Sequence, residues 1–208
     1  MKVLAFDFGA SSGRAILGSF ENGKLELQEI HRFDNEPVLM NGGFYWDLPR
    51  LFHEIKQGIR KAKEFDFETI GIDTWGVDYA LIGKNGKFVS NPYNYRDDRT
   101  ITIIEELRKK MSDKELYCKT GIQFATYNTI YQLLAHKEKE PDIYGIADKF
   151  VMMPDAFSYL LTGEVYSEKS VASTTALLNP YNKDWNWELI DEIGLKRSLF
   201  PKLVNPGT

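Results

Sequence analysis

Residues 3–33, VLAFDFGASSGRAILGSFENGKLELQEIHRF, hold three apolar runs separated by two turns. Val3 to Phe8 ends in the bend Gly9-Ala10-Ser11-Ser12-Gly13. Arg14 to Glu21 and Lys24 to Phe33 are joined by Asn22-Gly23. That dipeptide is the favoured two-residue hairpin turn, because both of its positions tolerate positive φ. Three consecutive strands, meandering and antiparallel, therefore begin the chain.

A helix follows. Leu48, Leu51, Phe52, Ile55, Ile59 and Ala62 recur at helical spacing. Asp47 is placed to cap it, and Pro49 falls in the first turn, where a missing N–H costs little. Thr69 to Asp73 reads as a short buried strand. Val77 to Gly83 and Phe88-Val89 flank a further turn at Asn85-Gly86. The order so far is β-β-β-α-β-β. The second half is mostly helical: Ile101 to Met111, Ile130 to Lys137 stopped by Pro141, Pro154 to Leu161 stopped at Gly163, and Trp187 to Ile193 before Gly194. A hairpin start followed by crossover helices predicts an α/β domain on a mixed sheet. The chain closes on Val204-Asn205-Pro206-Gly207-Thr208, which reads as a turn-like tail.

Composition narrows the function. The chain has 208 residues, with 26 basic and 30 acidic side chains for a net charge of −4, so nucleic acid and anionic membrane are not expected partners. No apolar run approaches the roughly 20 residues of a membrane span. One cysteine, Cys118, excludes an intramolecular disulfide and fits a reducing cytoplasm. His31, His53 and His136 show no metal-ligand spacing.

Three motifs carry chemistry. In Asp7-Phe8-Gly9-Ala10-Ser11-Ser12-Gly13-Arg14, a carboxylate ends a buried strand just before a tight bend. Gly9 and Gly13 allow close approach to a ligand; Ser11 and Ser12 add hydroxyls, and Arg14 adds charge. Such a bend suits phosphate oxygens, with Asp7 holding a hydrated Mg²⁺. Taken alone, the residues more readily describe a Gly/Ser hairpin whose acid caps the turn. In Gly71-Ile72-Asp73-Thr74-Trp75-Gly76-Val77-Asp78, a strand delivers an indole and two acids into one turn. An indole face beside a carboxylate suits a sugar, whose C–H groups lie on the ring and whose hydroxyls bond the acid. Trp75 as core and the acids as turn-formers is the plainer alternative. Asn94-Tyr95-Arg96-Asp97-Asp98-Arg99 reads as a clamp for hydroxyls, or as a charged helix start.

Taken in series, these motifs resemble the FGGY carbohydrate kinases, which share the actin/hexokinase/Hsp70 ATPase fold. The resemblance continues through Glu29 to Phe33, Gly121 to Phe124, Asn128 to Leu133, Pro154 to Tyr159 and Leu161-Thr162-Gly163. It is nearest to the branch that phosphorylates L-rhamnulose. The resemblance implies a ribonuclease-H-like domain: a five-stranded mixed sheet, its first three strands antiparallel, with helices on both faces. It implies that Gly9, Ala10, Ser11, Ser12, Gly13 and Arg14 face the phosphates of ATP and that Asp7 orders Mg²⁺. Trp75, Gly76, Asp78, Arg96 and Asp97 would lie near the sugar, L-rhamnulose or a related ketose. Residues 1–208 would form the N-terminal kinase domain alone. In the family the general base is an aspartate of a Ser-His-Asp-Thr-like motif in a second, C-terminal domain, which also holds the adenosine pocket. No His-Asp dipeptide occurs here. The isolated chain is therefore expected to be inactive, and to expose an apolar cleft face through which it self-associates. A non-catalytic sugar-binding or regulatory remnant of the same fold is the alternative.

Overall fold

A computed structural model describes residues 1–207; Thr208, the end of the expected tail, lies outside the described residues. In chain order the elements are β1 (Lys2–Phe8), β2 (Ser12–Glu21), β3 (Lys24–Asp34), β4 (Val38–Met40), β5 (Gly43–Tyr45), α1 (Leu48–Ala62), β6 (Thr69–Asp73), β7 (Tyr79–Gly83), α2 (Ile101–Arg108), α3 (Asp113–Thr120), α4 (Thr129–Lys139), α5 (Pro141–Ile146), β8 (Ala147–Met152), α6 (Met153–Thr162), β9 (Ser167–Glu168), α7 (Lys169–Ala172), α8 (Trp187–Glu192) and β10 (Leu203–Val204).

The opening meander forms as its turn chemistry dictates. Asn22 and Gly23 both take positive φ, 50° and 76°. β2 pairs antiparallel with β1 and with β3, and β6 joins the free edge of β1 in parallel. Among the described residues the sheet has four strands, in the order β3-β2-β1-β6, not the five expected. The missing strand is β7. It is buried along its whole length, so it needs apolar neighbours on both faces. A turn at Thr74 to Asp78 takes it away from β6, and it pairs antiparallel with β8 in a separate ribbon. That ribbon divides two cores. Tyr79, Leu81, Phe150 and Met152 face a helical core with Ile130, Leu133, Trp185 and Leu189. Ala80, Ile82 and Val151 face the sheet core with Phe6, Phe8, Leu51 and Ile55.

The expectation of helices on both faces of the sheet also meets a difference. α1 and α6 lie on one face, where Leu4, Phe6 and Phe8 point and where Phe157 of α6 stacks on Phe8 at 4.7 Å. On the other face the register partners Ala5 and Gly71 are exposed. The helix caps match their sequence signals. The Asp47 side chain accepts from the Arg50 N–H at 3.0 Å, and Gly163 ends α6 with a φ of 80°. Pro141 both stops α4 and opens α5.

Gly58 shows how tightly α1 is seated. A β-carbon there would stand 2.6 Å from the Phe6 ring and 3.0 Å from the Ala15 methyl. Glycine to alanine inside a helix normally stabilises by close to 1 kcal/mol. Here the sign inverts: Gly58→Ala is expected to lose about 1–3 kcal/mol through overpacking. Chemical denaturation checks this, and a gain in stability would show that α1 rides farther from the sheet.

Candidate functional site

β1 and β6 are adjacent and parallel, and Asp7 and Asp73 are register partners at their carboxyl ends. Neighbouring strands lie about 4.8 Å apart. The Gly/Ser bend and the Trp-Gly turn, distant in sequence, therefore leave the same end of the sheet side by side. This is where open α/β sheets gather ligand contacts.

The bend is internally braced. The Gly9 N–H donates to the Ser12 carbonyl at 2.9 Å. Asn35, buried just beyond β3, donates from its side chain to the Gly9 carbonyl at 2.7 Å and from its backbone to the Ser11 carbonyl at 3.0 Å. Neither Gly9 nor Gly13 uses a positive φ. Gly13 is required by packing, since a β-carbon would fall 2.2 Å from the Phe33 ring. Arg14, the register partner of Asp7 on β2, places Nε and Nη2 both 2.8 Å from Asp7 Oδ2. The arginine is thus already paired with the carboxylate expected to hold metal. Both side chains remain about two-fifths exposed, at 44% and 41%. Ser11 is exposed and Ser12 half-buried at the tip.

The second turn is strained. Val77 has a φ of 66°, a conformation that β-branched residues rarely adopt. Trp75 lies half-buried against Trp46, their rings 3.9 Å apart. Asp78 is fully buried and faces inward. Its Oδ2 accepts from the Trp46 indole at 2.6 Å, the Trp75 indole at 3.0 Å and the Tyr95 N–H at 3.0 Å, while Oδ1 accepts from Gln132 at 2.8 Å. Burial pushes the Asp78 carboxyl up to about 6, against these hydrogen bonds, which favour its charged form. Asp78 thus orients the indole from behind. Asp97 also faces inward, accepting from the Phe44 N–H and the Arg99 N–H, each at 2.9 Å. Arg96 is exposed and stacks on Tyr95 at 4.8 Å. Of the five residues expected near the sugar, Trp75, Gly76 and Arg96 are accessible, and the two acids act as internal struts.

A groove of about 520 Å³ runs beside the turn, lined by Asp73, Thr74, Gly76, Asp155, Glu168 and Thr174 among others. A larger hollow of about 850 Å³, between β3 and the end of α1, contains none of the expected site residues. Burial pushes the Asp155 carboxyl up to about 7, although the Glu168 N–H and Ser167 hydroxyl donate to it. The folded state then holds a proton that an unfolded chain releases near about pH 4. This favours folding at low pH, and the benefit disappears as pH rises through about 7. Asp155→Asn should remove that slope, so its melting temperature should gain on the wild type between pH 5 and 8. A pH-independent difference between the two proteins would contradict the raised value.

Asn35, Trp46 and Thr174 support the site without any local sequence signal, and Thr129 and Gln132 lie in the Asn128 to Leu133 stretch of the resemblance with no role assigned to them, since each of the five acts on a partner distant in the chain. Asp73 had a signal, its place at the end of a strand, but its pairing with Asp7 needed the register. Among the described residues no cluster of three metal-ligating side chains occurs, and no helix is long and apolar enough to cross a membrane. His136 is structural: it bonds the Tyr79 hydroxyl at 2.6 Å, and burial lowers its pKa to about 3.

Residues 2–208 match the FGGY family of carbohydrate kinases, N-terminal domain. The chain is 43% identical over 205 residues to a rhamnulokinase from Oceanobacillus iheyensis, and 44% identical over 205 residues to one from Halalkalibacterium halodurans. Each alignment covers 98% of this chain and 44% of the relative, so the chain spans less than half the length of these relatives. Its fold matches that of a ligand-bound xylulose kinase from Lactobacillus acidophilus with a TM-score of 0.88 at 20% identity, covering 100% of this chain and 42% of that one.

Proposed function

The chain belongs to the FGGY carbohydrate kinases, and from that premise we propose that it forms one wall of a cleft in which MgATP phosphorylates the 1-hydroxyl of L-rhamnulose. One observation carries the reading: the side-by-side exit of the Gly/Ser bend and the Trp-Gly turn from β1 and β6, with Asp7 opposite Asp73. A phosphate donor at the first and a hydroxyl acceptor at the second would be neighbours. Transfer of this kind is mostly positioning and charge stabilisation.

Ser11, Ser12 and the N–H groups of the bend would meet phosphate oxygens, with Arg14 supplying positive charge. Asp7 fits a hydrated Mg²⁺: it is partly exposed, and Asp73 stands beside it. Two carboxylates without a third ligand suit an ion that keeps most of its waters. Bound there, Mg²⁺ would neutralise phosphate charge. Trp75, oriented by Asp78, would present an indole face to the sugar's C–H groups beside the bare backbone of Gly76. Arg96 would reach its hydroxyls. The base that takes the hydroxyl proton would come from the C-terminal part that relatives of twice this length possess. The substrate assignment rests on the rhamnulokinase relatives, and the lone cysteine fits a cytoplasmic setting.

The test is calorimetry with L-rhamnulose and D-xylulose, together with an ADP-release assay. Binding of L-rhamnulose at least about tenfold tighter, equal to about 1.4 kcal/mol, is expected, without measurable ADP release. Equal affinity for the two ketoses would remove the substrate assignment. Robust turnover by the 208-residue chain would remove the division of labour.

A further inference from the structure

We propose that Thr174 is a positioning residue for the sugar, holding the Gly76–Val77 backbone in its left-handed bend so that Trp75 and Gly76 face the ligand. The inference rests on the functional reading above and adds a residue to it. Valine at a φ of 66° is strained, and such a conformation persists only where surrounding groups over-determine it. Two hydroxyls and an amide do so here. The Val77 N–H donates to Thr174 Oγ1 at 3.0 Å, while that hydroxyl donates onward to the Val171 carbonyl at 2.8 Å. The Thr129 hydroxyl donates to the Val77 carbonyl at 2.6 Å, and Gln132 Nε2 reaches the same oxygen at 3.4 Å. Both backbone polar groups of the strained residue are therefore taken up by the protein.

Thr174 also explains the glycine beside it. A β-carbon at Gly76 would stand 3.0 Å from Thr174 Cγ2 and 3.1 Å from Oγ1. A side chain at residue 76 would crowd the hydroxyl that meets the Val77 N–H. Thr174 lies 97 residues from Val77, in the short turn after α7, and it lines the same groove as Asp73 and Gly76. The shape of the backbone offered to the sugar is thus set from a distant part of the chain. Without the hydroxyl, Val77 can relax to negative φ, which swings the Trp75-Gly76 peptide away from the ligand.

The experiment combines Thr174→Val, nearly isosteric but without the acceptor, Thr174→Ser, which keeps it, and Val77→Gly, for which the left-handed region carries no steric penalty. Calorimetry with L-rhamnulose should show about tenfold weaker binding for T174V, and T174S within about threefold of wild type. In the V77G background, T174V should weaken binding by no more than about threefold. Thermal melts without sugar should repeat the pattern, T174V lowering the melting temperature more in the wild-type background than in the V77G background. Wild-type affinity in T174V, or an equal loss in both backgrounds, overturns the proposal. Should T174V alone not fold, a cooperative melt restored in the double variant supports the coupling, and no recovery overturns it. If the melts show coupling while wild type fails to bind L-rhamnulose, the substrate reading has failed and the clamp on the turn stands.

Discussion

Asp78→Ala is expected to lower the melting temperature by about 6–20 °C, the largest single-residue effect on stability in the site. The carboxylate is fully buried and is the common acceptor for two indoles, one side-chain amide and one backbone N–H. Alanine would leave these donors unpaired inside the protein. Losses of this kind amount to about 3–5 kcal/mol, and a chain of this size moves by about 2–4 °C per kcal/mol. Asparagine should recover only part. Its amide would face Gln132, whose own Oε1 already accepts from Arg99 at 3.0 Å, so turning the glutamine over to accept would break that bond. The order wild type, D78N, D78A in differential scanning calorimetry is the expected result. A melting temperature for D78A within about 2 °C of wild type would mean that water reaches the cluster and that Asp78 faces the cleft.

Asp7→Asn should abolish the metal dependence of nucleotide binding while leaving the fold intact. The Asp7–Arg14 pair is two-fifths exposed, and such pairs contribute only about 0–1 kcal/mol to stability. Its effect on a ligand is larger, because the carboxylate currently neutralises the arginine at the bend. With asparagine, metal-free ADP should bind about tenfold tighter than to wild type, which is about 1.4 kcal/mol and within reach of one neighbouring charge. Added Mg²⁺ should then strengthen binding in wild type and have little effect in the variant. Calorimetry in EDTA and in excess Mg²⁺ measures both. An identical Mg²⁺ response in the two proteins would detach Asp7 from the metal and the bend from the phosphates.

The two central motifs are legible in the sequence because their signals are local. A carboxylate at the end of an apolar run before a Gly/Ser bend needs no tertiary information, and neither does Trp75-Gly76 at the end of another. The roles of particular residues are less legible. Gly13 reads as allowing close approach to a ligand, yet it is fixed by the Phe33 ring on the neighbouring strand. Asp78 and Asp97 read as sugar contacts, yet both spend their oxygens on internal donors. Sequence position tells which residue types arrive at a turn but not which way each side chain points. The fifth strand is misplaced for a related reason. An apolar run such as Tyr79 to Gly83 is recognisable as a strand, while its pairing partner, Ala147 to Met152, is chosen by which surfaces remain to be buried.

By itself the sequence determined the opening meander, the caps of α1 and α6, the bends that follow β1 and β6, and the kinase family, since turn chemistry, side-chain periodicity and short-range motifs act through neighbours in the chain. Tertiary structure alone decided that Asp7 meets Asp73, that the sheet stops at four strands, and that Thr174 and Thr129 clamp Val77. Those outcomes depend on strand register and on burial shared between segments far apart, and no local rule of conformation specifies either.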